Sequence, residues 1–186
     1  MKKIILLFAI AVVVVSACKP GSNVEKERAN IIELRNQLYD QNSVLSSQKV
    51  AEEAIEAFRA FGKNFPEDSL AMPYHIEAGE IAWTLAQYPL SIEIFQEILG
   101  IHPESDMVPY LYLRLGSIYN DAMKDTINAK KYYMLLLENY PQSEFSEGAQ
   151  FGLETLGMSE KEQFDHLMEK AGQPVESAGG VEETVE

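Results

Sequence analysis

Apolar residues recur at helical spacing from Glu25 to Met168, interrupted by short stretches rich in Pro, Gly and Ser. Ile31, Leu34 and Leu38 predict a first helix over Glu25 to Tyr39. Val50, Ala54, Ile55, Phe58 and Phe61 predict a second over about Ser47 to Asn64. Ser69 is placed to cap the next helix, with Pro73 in its first turn, where a missing N–H costs little. That helix is expected to reach about Gln87, and Pro89 to open a partner ending near Gly100. Ser105 or Asp106 caps the following helix, with Pro109 close behind, and Asp125 caps its partner, which carries Tyr132, Tyr133, Leu136 and Leu137. Ser143 begins a helix to about Leu156, and the capping box Ser159-x-x-Glu162 opens a last one with Phe164, Leu167 and Met168.

The helices pair in a repeating pattern. Tyr112, Leu115, Gly116 and Tyr119 are followed by Ala129, Tyr133 and Pro141. Tyr112, Leu115 and Tyr119 share one helix face, and Gly116 removes a side chain from it, so a second helix can approach. A glycine inside a helix costs roughly 1 kcal/mol against alanine, so its place there asks for a packing reason. Ala129 is expected to meet the gap and Tyr133 to fill the space one turn on. The same spacing recurs as Ser91, Phe95 and Pro103, and as Ala54, Phe58 and Pro66. Gly79 stands before Pro103 much as Gly116 stands before Pro141, with one extra residue assigned to the later hairpin's turn.

This series resembles the tetratricopeptide repeat: an aromatic, Leu-Gly, an aromatic, then a small residue, an aromatic and a proline. The resemblance is clearest from Ser69 to Pro141 and extends over roughly Ser47 to Ser143. It implies an all-α fold, a right-handed superhelical stack of antiparallel helix hairpins over residues 25–170, with atypical end units as caps. The first unit lacks the Leu-Gly pair, and in the second His75 and Ala82 stand at the two aromatic positions.

The first residues carry an address. Lys2 and Lys3 precede an apolar run from Ile4 to Val15, shorter than the roughly 20 residues a membrane helix needs. Val15-Ser16-Ala17-Cys18 resembles a bacterial lipobox, which implies cleavage after residue 17 and lipidation of Cys18. An ordinary signal peptide or an uncleaved anchor is the competing interpretation. Residues 18–24 read as a lipidated tether reaching some 20 Å. Residues 171–186 read as a disordered acidic tail. The formal charge of −14 disfavours nucleic acid and electrostatic adhesion to an anionic membrane. Lipid on Cys18 would therefore be the membrane attachment. The single cysteine excludes an internal disulfide.

Lipobox, repeat length and helices ending in aromatic-Pro together resemble the tetratricopeptide lipoproteins of outer-membrane β-barrel assembly and the periplasmic coordinator of the Tol-Pal system. That resemblance implies a protein-interaction scaffold of the cell envelope, in outer-membrane assembly and facing the periplasm, with a protein or peptide partner. Lys19 after the cysteine lacks the Asp tied in enteric bacteria to inner-membrane retention.

No catalytic constellation emerges. His75, His102 and His166 fall in different hairpins or loops, and Ser46-x-x-Lys49 lacks the companion motifs of penicillin-recognising enzymes and reads as a helix start. No cofactor or metal is expected. An envelope enzyme or small-ligand binder using the groove is the alternative function. With the glycine face turned to the partner helix, the groove is expected to be lined by Ile76, Glu80, Trp83 and Thr84, then Leu113, Arg114, Ser117, Asn120 and Asp121. Trp83 admits two roles, a binding anchor or a plug between adjacent repeats.

Overall fold

In the computed structural model, described over residues 20–39 and 47–172, the chain is a run of helices with no strand among the described residues. They are α1 (Pro20–Leu38), α2 (Gln48–Asn64), α3 (Ala71–Thr84), α4 (Tyr88–Ile101), α5 (Val108–Ser117), α6 (Thr126–Asn139), α7 (Ser146–Glu154) and α8 (Glu160–Lys170). A π-helical turn, Ile118–Ala122, continues α5. Residues 1–19, which hold the expected signal peptide and Cys18, lie outside the described residues, as does 173–186 of the expected tail. Residues 20–24, expected as tether, belong to α1.

Each second helix ends in the same way. Phe65, His102 and Tyr140 cap α2, α4 and α6 with φ of −131°, −127° and −135° and ψ of 52°, 60° and 51°. The proline that follows each of them disfavours the helical conformation at the residue before it, so the helix stops there. Each loop then folds identically: Asp68, Ser105 and Ser143 donate their N–H to the carbonyls of Phe65, His102 and Tyr140. Their side chains accept from the backbone N–H of Leu70, Met107 and Phe145. Asp68, not Ser69, therefore organises the start of α3, and Ser105 takes that role before α5. Ser47, Asp125 and Ser159 cap α2, α6 and α8 through their side chains.

Contacts between hairpins sort the helices into two layers. α1, α3, α5 and α7 form one: Arg35 pairs with Glu77, Arg114 with Glu80, and Tyr110 stacks edge-on to Phe145 just before α7. α2, α4 and α6 form the other: Arg59 pairs with Glu93 and Glu97, and Gln96 donates to the Tyr132 hydroxyl at 2.9 Å. This is a solenoid of helix hairpins, its core lying between the layers around Phe58, Phe95, Leu115 and Leu136.

The glycines fit the aromatics themselves. A methyl group on Gly79 would strike the ring of Phe95, and one on Gly116 the ring of Tyr133. The aromatic, rather than the small residue, thus fills each notch. Ser91 instead donates its hydroxyl to the Gly79 carbonyl at 2.8 Å. The extra residue of the later hairpin is not in its turn, which has three residues in both hairpins, but inside the helix as the π-helical turn. A π turn is how a helix absorbs one residue without breaking.

Candidate functional site

On the outer side of the first layer, α3 and α5 bring four side chains together. Arg114 donates to both Glu80 oxygens, from Nε at 2.7 Å and from Nη2 at 2.6 Å. Tyr110 donates its hydroxyl to Glu80 Oε1 at 2.6 Å. The Arg114 guanidinium lies 4.8 Å from the ring centroid of Trp83, which remains 42% exposed. The two-pronged pairing fixes the plane of the guanidinium, and the fixed plane covers one face of the indole. Burial and the adjacent Glu80 carboxylate push the Tyr110 phenol well above its ordinary pKa, so it stays a donor. Burial opposes the Arg114 charge, but Glu80 outweighs it and keeps the pKa above its ordinary value.

Spacing explains this convergence. Glu80 and Thr84 lie one turn apart on α3, and Tyr110 and Arg114 one turn apart on α5, so each pair shares a face. The pairing between the two faces joins two repeats. Trp83 therefore stands at a junction between repeats and is exposed as well. Tyr110 was not singled out from the sequence. Its position four residues before Arg114 is the signal that could have found it.

The other groove residues divide. Ile76 is half-buried against the main core, and Thr84 is exposed, its hydroxyl donating to the Glu80 carbonyl at 2.9 Å. Leu113 packs against α7, where a methyl on Gly148 would lie 3.3 Å from its side chain. Ser117 donates to the Leu113 carbonyl and faces the Tyr133 hydroxyl at 3.5 Å. Asn120 is not a groove residue: it is 3% exposed and accepts the Gly157 N–H at 3.0 Å. Asn120 stands four residues after Gly116 and so shares the glycine face that turns inward, within the π-helical turn. Asp121 is exposed and accepts from Asn120 at 2.8 Å.

The histidines remain apart. His75 is fully buried, with its Nε2 3.6 Å from Glu97 Oε2 and both ring nitrogens without a hydrogen bond. Burial lowers its pKa to about 4 although Glu97 pulls the other way. His166 lies 3.5 Å from Glu154 at the far end of the stack. Among the described residues no three His, Cys, Asp or Glu are placed to hold a metal ion, and no helix is long and apolar enough to cross a membrane.

No curated protein and no solved structure matches the chain. Residues 110–143, from the first turn of α5 to the loop after α6, match the tetratricopeptide repeat family. The chain thus contains a tetratricopeptide repeat over residues 110–143, within a longer run of helix hairpins.

Proposed function

We propose that this protein is a lipid-anchored scaffold of the bacterial cell envelope, attached through Cys18 and holding a protein or peptide partner on its first-helix layer. The observation that carries the partner surface is Trp83, exposed yet stacked by an Arg114 that Glu80 and Tyr110 immobilise. Tryptophan is enriched among residues that dominate binding energy. An anchor already ordered before binding loses less conformational freedom on association. Arg114 occupies one indole face, so the other is available to an apolar or aromatic side chain of the partner.

The anchor rests on the lipobox-like Val15-Ser16-Ala17-Cys18 and on the acidity of the chain, which disfavours electrostatic attachment and leaves lipid to supply it. Cys18 stands two residues before α1, so lipidation would hold the repeats close to the bilayer. The resemblance to outer-membrane assembly lipoproteins favours an outer-membrane, periplasm-facing location.

A photo-crosslinking residue at position 83, used in the native cell, tests the surface. Trp83→Ala is expected to weaken binding of the partner so recovered by about 2 kcal/mol, roughly thirtyfold. Unchanged affinity would remove Trp83 as the anchor. Cys18→Ser is expected to abolish incorporation of labelled fatty acid and release the protein from membranes. Retained label would refute lipidation at Cys18.

A further inference from the structure

Charge divides the two layers unevenly. α2, α4 and α6 are nearly balanced, with five bases against six acids. α1 carries three of each. From α3 onward the first layer, with the π-helical turn, carries Glu77, Glu80, Asp121, Glu147 and Glu154 against Arg114 alone. Glu80 takes up that arginine, and Arg35 holds Glu77. Asp121 accepts from the side-chain amides of Asn120 and Gln163, and Glu147 makes no ion pair among the described residues.

These acids flank an apolar strip. Ile76, Leu113 and Phe151 each stand ten residues after a loop proline and are half-buried. Glu147, Phe151 and Glu154 lie at i, i+4 and i+7 along α7 and form one stripe. Ser117 and Asp121 continue the Arg114 stripe beside it. Trp83, the single tryptophan of the chain, stands on the α3 side.

The chain itself already occupies part of this surface. The side chains that tie α8 down reach the first layer. Lys170 and His166 lie 2.7 and 3.5 Å from Glu154, and Gln163 lies 3.4 Å from Asp121. The His166 ring is 6.4 Å from that of Phe151. The carboxylates of α8 are used within the helix, Glu162 in its cap and Asp165 with Lys161, or are exposed, as Glu160 and Glu169 are. The hold is slight, since exposed ion pairs contribute little and no residue of α8 is buried.

We propose that the partner segment on this surface is cationic, with Lys or Arg for Asp121, Glu147 and Glu154 and an apolar side chain for Trp83, and that it displaces α8 from α7. This rests on the first-helix layer being the partner surface. α8 is the precedent for the chemistry, because what it lays on these acids is Lys170, His166 and Gln163. The preference is local: with a screening length of about 8 Å, a bound segment senses the acids beneath it more than the net charge.

Two synthetic amphipathic peptides test it, alike in their leucines but with lysine or glutamate at the polar positions. They are titrated into the chain from Pro20 to Glu186, which holds every described core residue, and Trp83 emission is read. The lysine peptide is expected to shift the emission saturably and the glutamate peptide to leave it unchanged. Asp121→Lys with Glu147→Lys is expected to weaken lysine-peptide binding by about tenfold or more. Glu52→Lys with Glu53→Lys, the same charge change on α2, is expected to alter it by less than about twofold. His166→Ala with Lys170→Ala unties α8 and is expected to tighten binding severalfold. Melting curves check that each variant is folded. Emission that ignores the lysine peptide, or responds equally to the glutamate peptide, overturns the proposal. So do equal losses from the two charge reversals, which would mean attraction to the acidic molecule at large. Unchanged binding after α8 is untied overturns the displacement. A partner crosslinked at position 83 in cells whose affinity ignores Asp121→Lys with Glu147→Lys would keep the partner surface and refute its preference for cations.

Discussion

Between α2 and α4 the solenoid buries His75 completely, whereas the equivalent residue of α5, Tyr112, is half-buried and that of α7, Gln150, is exposed. All three stand nine residues after the loop proline. The register is constant, and the surroundings change. At the first junction Gly62 of α2 yields its side-chain space to the imidazole, and α4 closes over it with Glu97. At the last, α7 is short and α8 departs, so the same register faces water. A repeat position is therefore a place in a lattice, and its burial depends on whether the next unit arrives.

The comparison breaks first on the aromatic at the closed end. Phe95→Ala, at a fully buried position, is expected to lower unfolding free energy by about 3–5 kcal/mol. Phe164→Ala, at an exposed position on α8, is expected to change monomer stability by under about 0.5 kcal/mol. Denaturant unfolding of both variants measures the difference. Equal losses would mean that α8 is as integrated as α4.

Acid sharpens the comparison next. His75 is neutral in the fold with a pKa of about 4, but takes a proton near pH 6.5 when unfolded. Its contribution is complete above pH 6.5 and is lost as pH falls toward 4, a change of about 3 kcal/mol. Glu97, held near 2 mainly by the Arg59 hydrogen bond, acts in a lower window: its contribution is present above about 4.5 and lost toward 2. Stability measured from pH 7 to 4 is expected to fall in the native chain and to flatten in His75→Leu. An unaltered slope in that variant would place the titrating group elsewhere.

The smallest contrast is between two glycines. A methyl on Gly62 would lie 2.6 Å from His75, and one on Gly148 3.3 Å from the end of the flexible Leu113 side chain. Gly62→Ala is expected to destabilise by about 1–3 kcal/mol. Gly148→Ala is expected to be neutral or to gain up to about 1 kcal/mol in helix propensity. Thermal melts of the pair check both signs.

Much of the fold was legible because the repeat writes its boundaries locally. A proline after an aromatic or histidine stops each second helix, and side chains at Ser47, Asp125 and Ser159 cap helices wherever they occur. The site was legible only in part. Glu80, Trp83 and Arg114 could be placed on one side by counting, but their pairing and the role of Tyr110 depend on the offset between α3 and α5. Asn120 went astray although it lies four residues after Gly116 on the glycine face, because its polar side chain reads as surface until its bond to the distant Gly157 N–H is seen.

By itself the sequence determined helix, stop, notch and filler, because capping, proline sterics and glycine–aromatic fit act over a few residues or one hairpin. Only the tertiary structure decided which equivalent positions are covered, which ion pairs cross between repeats, and where the stack is left open. Those outcomes depend on how each hairpin sits on its neighbour, and a shortened α7 is enough to change them.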